Sequence, residues 1–255
     1  MKFAKTKEEI QEYLTMDSTF YDADIYWVAW KTDLSLLKRI TPKPFEVPDY
    51  PISFCYFAKF DKTAFGGYQE CALFIGVEYK GKKGLYCLSM PLDNDMACFG
   101  GREWLGLPKK IATINFEKNY DIILGSVERK GVEFAKIKGD LSSNLNNSES
   151  EEIISKYLTK KGFICYNFKN LPDMDGINHW FPYKMRVKAK LDELKFGNGE
   201  LLLSESKHDA WSDIKVEEIL GGVYMHGNIN LNPPNFFKEI DEETYRPHAF
   251  IGWDF

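Results

Sequence analysis

The sequence predicts a single β-rich α+β domain spanning residues 1–255, on three observations. Short runs rich in Val, Ile, Tyr, Phe and Trp recur along most of the chain, separated by Gly-bearing turns. Helical periodicity is confined to a few brief stretches. Composition shifts abruptly nowhere and no internal repeat is found, so one domain is the economical architecture. At 255 residues with 44% hydrophobic content the chain buries roughly 70–75% of its unfolded surface, enough for a core without disulfide or metal staples.

The first element is helical: Thr6 with Glu9 forms a capping box, and Ile10, Tyr13 and Leu14 make one apolar stripe. From Asp24 the texture changes to a strand, Ile25-Tyr26-Trp27-Val28-Ala29-Trp30, which stops at Thr32-Asp33. Asp33 caps a short helix over 34–40, terminated by Pro42 and Pro44. Strands are expected at 52–60, 68–79, 85–90, 111–116, 120–128 and 132–137, with turns at Phe65-Gly66-Gly67, Tyr79-Lys80-Gly81-Lys82-Lys83-Gly84 and Arg129-Lys130-Gly131. Between the third and fourth, Asp93-Asn94-Asp95 caps a helix from Met96 to about Leu105, which leads into Gly106-Leu107-Pro108-Lys109-Lys110. The polar segment 142–150 is expected to be a disordered surface loop. Ser148 with Glu151 reads as a second capping box, opening a helix through Ile153, Ile154, Tyr157 and Leu158. Strands return at 163–168, 183–194, 200–206 and 223–231, before a tail rich in Pro and aromatic residues.

Several function classes are disfavoured. The net charge is −5 with Lys and Arg scattered, whereas a nucleic-acid partner needs a concentrated basic face. No apolar run is long enough to span a membrane, and the N-terminus shows no signal-peptide core, so a cytoplasmic location is expected. Cys55, Cys71, Cys87, Cys98 and Cys165 show neither zinc-knuckle nor redox spacing and read as reduced thiols. His179, His208, His226 and His248 lack paired ligand spacing, and no Gly-rich phosphate loop follows a strand, so neither a metal nor another cofactor is expected.

Lys109-Lys110 carries the chemistry. An amine attacks a carbonyl only when it has lost its proton, and two means achieve this: removal from water and a neighbouring cation. Adjacent lysines flanked by Leu105, Leu107 and Ile111 offer both, although such a pair alone is equally a solvated strand edge. The setting is more specific. Leu92-Asp93-Asn94, Gly101-Arg102-Glu103 and Gly106-Leu107-Pro108-Lys109-Lys110, in that order and spacing, resemble the acetoacetate decarboxylase family. Trp30-Lys31-Thr32-Asp33, Pro42-Lys43-Pro44-Phe45, Tyr68-Gln69-Glu70, Leu171-Pro172-Asp173-Met174-Asp175-Gly176 and Lys215-Val216-Glu217-Glu218-Ile219 extend the resemblance over roughly residues 24–231.

The resemblance implies an antiparallel β-barrel-like core enclosing an apolar cavity, with peripheral helices. It implies that Lys109 is the Schiff-base lysine and Lys110 the neighbour that helps activate it, acetoacetate decarboxylase being itself the usual example of such a lysine. It also implies that Glu70 is an active-site glutamate. Arg102-Glu103 is expected to form an ion pair fixing the lysine loop rather than to clamp substrate. Trp27, Trp30, Phe54, Tyr56, Phe57, Phe60, Trp104, Trp180 and Trp211 could wall the cavity or simply fill a core. Two positions depart from the family: Ala23 stands where it carries an arginine, and Cys55 where it carries a second glutamate.

The expected activity is that of a lysine Schiff-base lyase decarboxylating a small β-keto acid such as acetoacetate. Two alternatives stand beside it: a Schiff-base aldolase or dehydratase acting on pyruvate-type keto acids, and a barrel that binds a small apolar ligand without catalysis. The expected partner is a small keto acid, with assembly into a homo-oligomer implied by the resemblance.

Overall fold

The computed structural model describes residues 4–173, 176–237, 242–245 and 248. Helix α1 (Lys7–Leu14) opens with the expected capping box, Thr6 and Glu9 exchanging backbone-to-side-chain hydrogen bonds of 2.8 and 3.2 Å. Strand β1 (Thr19–Lys31) leads to α2 (Leu34–Ile40), capped by Asp33 as expected. Next come β2 (Ile52–Phe60), β3 (Tyr68–Tyr79), β4 (Lys82–Leu92), α3 (Asp95–Leu105), β5 (Lys109–Ile111), β6 (Thr113–Asn119), β7 (Ile122–Arg129) and β8 (Val132–Asp140). Helix α4 (Ser150–Ser155) and strands β9 (Gly162–Asp173), β10 (Gly176–Leu203) and β11 (Glu218–Leu231) complete the frame.

Pairing closes a circuit in the order β1–β2–β3–β4–β9–β10–β11 and back to β1. All these contacts are antiparallel except the short β4–β9 join, where Leu85 and Tyr86 face Cys165 and Tyr166 in parallel. The far end of β10 leaves the circuit at Asn198 and pairs with β8, building a second sheet in the order β10–β8–β7–β6.

Burial follows from this layout. Alternate residues of β1 face opposite ways, and both of its faces are covered. Ile25, Trp27 and Ala29 point into the barrel with Phe54, Phe74 and Val223. Tyr26, Val28 and Trp30 point outward into a second core completed by Ile114, Ile123, Val127 and Phe134 of the second sheet. A third cluster of Phe45, Tyr86, Tyr166 and Phe168 covers another outer face. Strands buried on both faces read as continuous apolar runs, which is how β1 to β3 read in sequence.

Several expectations need correction. The strand expected at 111–116 is two strands: β5 pairs with β4, the chain crosses at Ala112, and β6 joins the other sheet. Tyr120 does not begin a strand but sits in the turn between β6 and β7 at φ 54°. The strands expected at 183–194 and 200–206 are one, because Gly197 and Gly199 serve close approach rather than a turn. A Cβ on Gly197 would lie 2.5 Å from the Asp140 carbonyl oxygen. Ser148 caps nothing; Glu149 holds the N-cap position of α4 without a side-chain bond. The loop over 142–150 is fastened rather than loose: Asp140 accepts from the Ser142 and Ser143 hydroxyls at 2.6 Å, and Asn146 exchanges bonds with the backbone of Gly199. Met174 and Asp175, and most of the aromatic tail, lie outside the described residues. No described helix is long and apolar enough to cross a membrane.

Candidate active site

Helix α3 and the turn after it present the lysine. Asn94 caps the helix by accepting from Ala97 N at 2.9 Å, and its amide donates to the Phe65 carbonyl at 3.2 Å, tying the helix to the β2–β3 loop. At the other end Gly106 adopts φ 66°, where a Cβ would meet the Phe168 carbonyl oxygen at 2.3 Å, so glycine ends the helix. Leu107 N then donates to Gly101 O and Met90 N to Pro108 O, which lays β5 along β4 with Met90 opposite Lys109. Arg102 fixes this turn, as expected of it, but by donating to the Lys109 carbonyl at 3.2 Å.

Lys109 points into the barrel and is only 6% exposed. Its Nζ forms an ion pair with Oε2 of Glu70, itself 4% exposed, and Tyr56 donates its hydroxyl to the other oxygen, Oε1. The Tyr68 ring centroid lies 5.9 Å from the same Nζ. The lysine stem lies against Gly101: a Cβ there would come within 2.3 Å of Cε and 2.5 Å of Cδ. Burial, reinforced by the Glu70 charge, pushes the Tyr56 and Tyr68 hydroxyls well above the usual phenol range, so both stay protonated.

The pair borders a cavity of about 480 Å³ whose walls include Trp27, Phe60, Phe74, Met90, Phe163 and Met185. Cys165 also lines it, and burial pushes its thiol up to about 12, so it lies there as an unreactive apolar group. Of the aromatic residues proposed for a wall, Trp27, Tyr56, Phe60 and Trp104 take part. Trp30, Phe57 and Trp211 fill the second core, Phe54 the barrel core, and Trp180 the third cluster.

Lys110, next along β5, turns the other way. Its Nζ donates to the His208 carbonyl at 3.0 Å and lies 3.6 Å from Oδ1 of buried Asp209, which Arg129 also engages at 3.3 Å. The expected pair of neighbouring ammonium groups is therefore split between two faces of a strand, and the second anchors β5 to the chain preceding β11. Ala23 faces the barrel interior, whereas Cys55 faces outward among Phe57, Cys71 and Leu73. The change at 55 thus lies on the far side of β2 from Lys109. Among the described residues no three His, Cys, Asp or Glu side chains gather as a metal site.

Sequence reasoning assigned Lys109 and Glu70 to one site but named Tyr56 only as a possible wall residue and gave Tyr68 and Gly101 no role of their own. Tyr56 was within reach of strand logic. Ala58 pairs with Glu70 across β2 and β3, so Tyr56, two residues earlier on the same face, is a diagonal neighbour of the carboxylate.

The family model for acetoacetate decarboxylase matches residues 3–237 of the chain. The chain belongs to the acetoacetate decarboxylase family. An acetoacetate decarboxylase of Burkholderia cenocepacia is 36% identical over 157 residues, 62% of this chain and 61% of that protein. The chain spans between 44% and 61% of the length of such curated relatives. Among solved structures, acetoacetate decarboxylase from Legionella pneumophila superposes with a TM-score of 0.75 at 22% identity, covering 87% of each chain. The enduracididine biosynthesis enzyme MppR, solved in complex with pyruvate, gives a TM-score of 0.72 at 12% identity, covering 93% of this chain and 97% of that one. These likenesses show that the chain shares the fold of those proteins.

Proposed function

We propose that the chain is a lysine-dependent decarboxylase of β-keto acids, a reading carried by the buried Lys109–Glu70 pair at the wall of an apolar cavity. Membership of the family supports it. Glu70 takes a proton from the Lys109 ammonium, and the neutral amine adds to the substrate ketone. The carbinolamine loses its oxygen as water, leaving an iminium on Nζ. The bond to the carboxylate carbon breaks, carbon dioxide departs, and the electron pair moves into the iminium to form an enamine. Glu70, having given its first proton to the departing water, takes up another from solvent and delivers it to carbon, which restores the iminium, and water hydrolyses it to the ketone product and free Lys109. Tyr56 acts by holding Glu70 in place, and the apolar walls keep bulk water from the carbanion-like intermediate.

The test is chemical trapping. The chain is incubated with acetoacetate or pyruvate, reduced with borohydride, and digested to locate the mass shift. An adduct on Lys109 with release of carbon dioxide from acetoacetate is expected. Lys109→Ala abolishes the adduct while circular dichroism reports an intact fold; trapping that survives identifies another amine. An adduct with pyruvate and no carbon dioxide release would instead favour aldolase-type chemistry on the same iminium. No adduct with any keto acid would leave only a ligand-binding barrel.

A further inference from the structure

We infer that the site takes a keto acid with a single carboxylate and a long apolar substituent, roughly five to eight carbons beyond the ketone, at ~30 Å³ per water-sized group. This rests on Lys109 acting as the Schiff-base amine.

Size is the first argument. A cavity of about 480 Å³ falls within the roughly 300–1,000 Å³ of pockets that hold drug-sized ligands. It has room for about sixteen water-sized groups, whereas acetoacetate has less than half as many heavy atoms. The reacting pair occupies one part of the wall. Phe74 lies four residues from Glu70 on the same face of β3, and with Met185 and Val187 it gives the lining a buried apolar floor, the three being 1%, 3% and 4% exposed. Leu14 and Trp104, which also line the cavity, are 75% and 51% exposed.

Charge is the second argument. Lys109 is the only Lys or Arg among the described residues that line the cavity, and Glu70 and Asp17 give the lining two carboxylates. Ala23, inside the barrel, supplies no cation. Once Lys109 is bound to the ketone, no second cation among the described residues lines the space to hold another carboxylate. Affinity must therefore come from apolar burial. A short acid gains nothing from the floor, whereas each methylene taken from water against it is worth roughly three- to four-fold in affinity.

The experiment uses the full chain and a homologous series of straight-chain β-keto acids, from acetoacetate to the dodecanoic member. Carbon dioxide release and borohydride trapping on Lys109 are both measured. The expected result is a kcat/KM that climbs roughly three-fold per methylene through falling KM, reaches a maximum, then drops once the cavity is full. An acid of matched length ending in a second carboxylate is expected to be at least about a hundred-fold poorer than its methyl-ended counterpart, since its charge would be buried unpaired. A kcat/KM highest for acetoacetate and falling with length, with Lys109 still trapped, overturns the chain-length inference alone. Absence of a Lys109 adduct with every member overturns the Schiff-base reading and this inference together.

Discussion

Lys109 and Glu70 are ion-pair partners in a place almost closed to water, so removing either charge leaves the other uncompensated. That coupling shapes the expected mutants. Glu70→Gln keeps the shape of the side chain but cannot accept the lysine proton, and kcat is expected to fall by roughly 10²- to 10⁴-fold. Tyr56→Phe removes only the group that steadies Glu70, and a loss of about ten-fold is expected. Steady-state carbon dioxide release with both variants measures this; equal losses would mean that the tyrosine, not the carboxylate, moves the proton. Gly101→Ala is a sharper probe, because the added methyl would occupy the space of the lysine stem. The lysine must then leave its seat, so the borohydride adduct is expected to form at least about a hundred-fold more slowly, as misplacement of a reacting group by about 1 Å commonly costs. An unchanged trapping rate in that variant would show the stem to be freely mobile. At this scale the family resemblance assigned Lys109 and Glu70 to one site without showing that they pair. It did not disclose Gly101, since only the folded approach of α3 to β5 makes a hydrogen there necessary. Nor did it show Lys110 turning away, although strand alternation implies it once β5 is known to be a strand.

Among the elements, α3 decides how firmly the lysine turn is held. It carries Gly101 and Arg102, and Asn94 fastens its start both to its own first turn and to Phe65. Asn94→Ala is expected to destabilise the chain by about 1 kcal/mol, lowering Tm by roughly 2–4 °C for a protein of this size; a calorimetric scan measures it. Helix caps were the most legible elements. Thr6, Asp33 and the Asp93-Asn94-Asp95 run each announced a helix start through a short side chain at the right offset, a purely local signal. The failure at Ser148 shows its limit: Asn147 accepts from Glu149 N at 2.9 Å and takes over the turn before the helix. Strand ends were less legible wherever glycine served contact instead of turning, as at Gly197 and Gly199, because the neighbour that demands the glycine is distant in sequence.

Across the whole molecule the class was legible and the wiring was not. Aromatic and β-branched runs identify a β-rich chain, but the parallel β4–β9 join and the return of β11 to β10 depend on contacts far apart in sequence. The barrel itself was available only through the family resemblance. Continuous burial in β1 and β2 gave a partial clue, since strands covered on both faces require a second layer, supplied here by β6, β7 and β8.

Strand β10, at 28 residues, belongs to both sheets: Val187 to Gly197 pair with β11 in the barrel and Asn198 to Leu203 with β8 in the other layer. A shared beam of this kind welds two structures into one cooperative unit, because fraying either sheet strips partners from the same strand and opens the core between them. Amide hydrogens of the two sheets should therefore exchange with closely similar opening free energies. Deuterium uptake followed by mass spectrometry compares them, and second-sheet amides exchanging several kcal/mol more readily than those of the barrel would show that the beam does not couple them. The cavity beside Lys109, on this account, draws its rigidity partly from strands that never touch it.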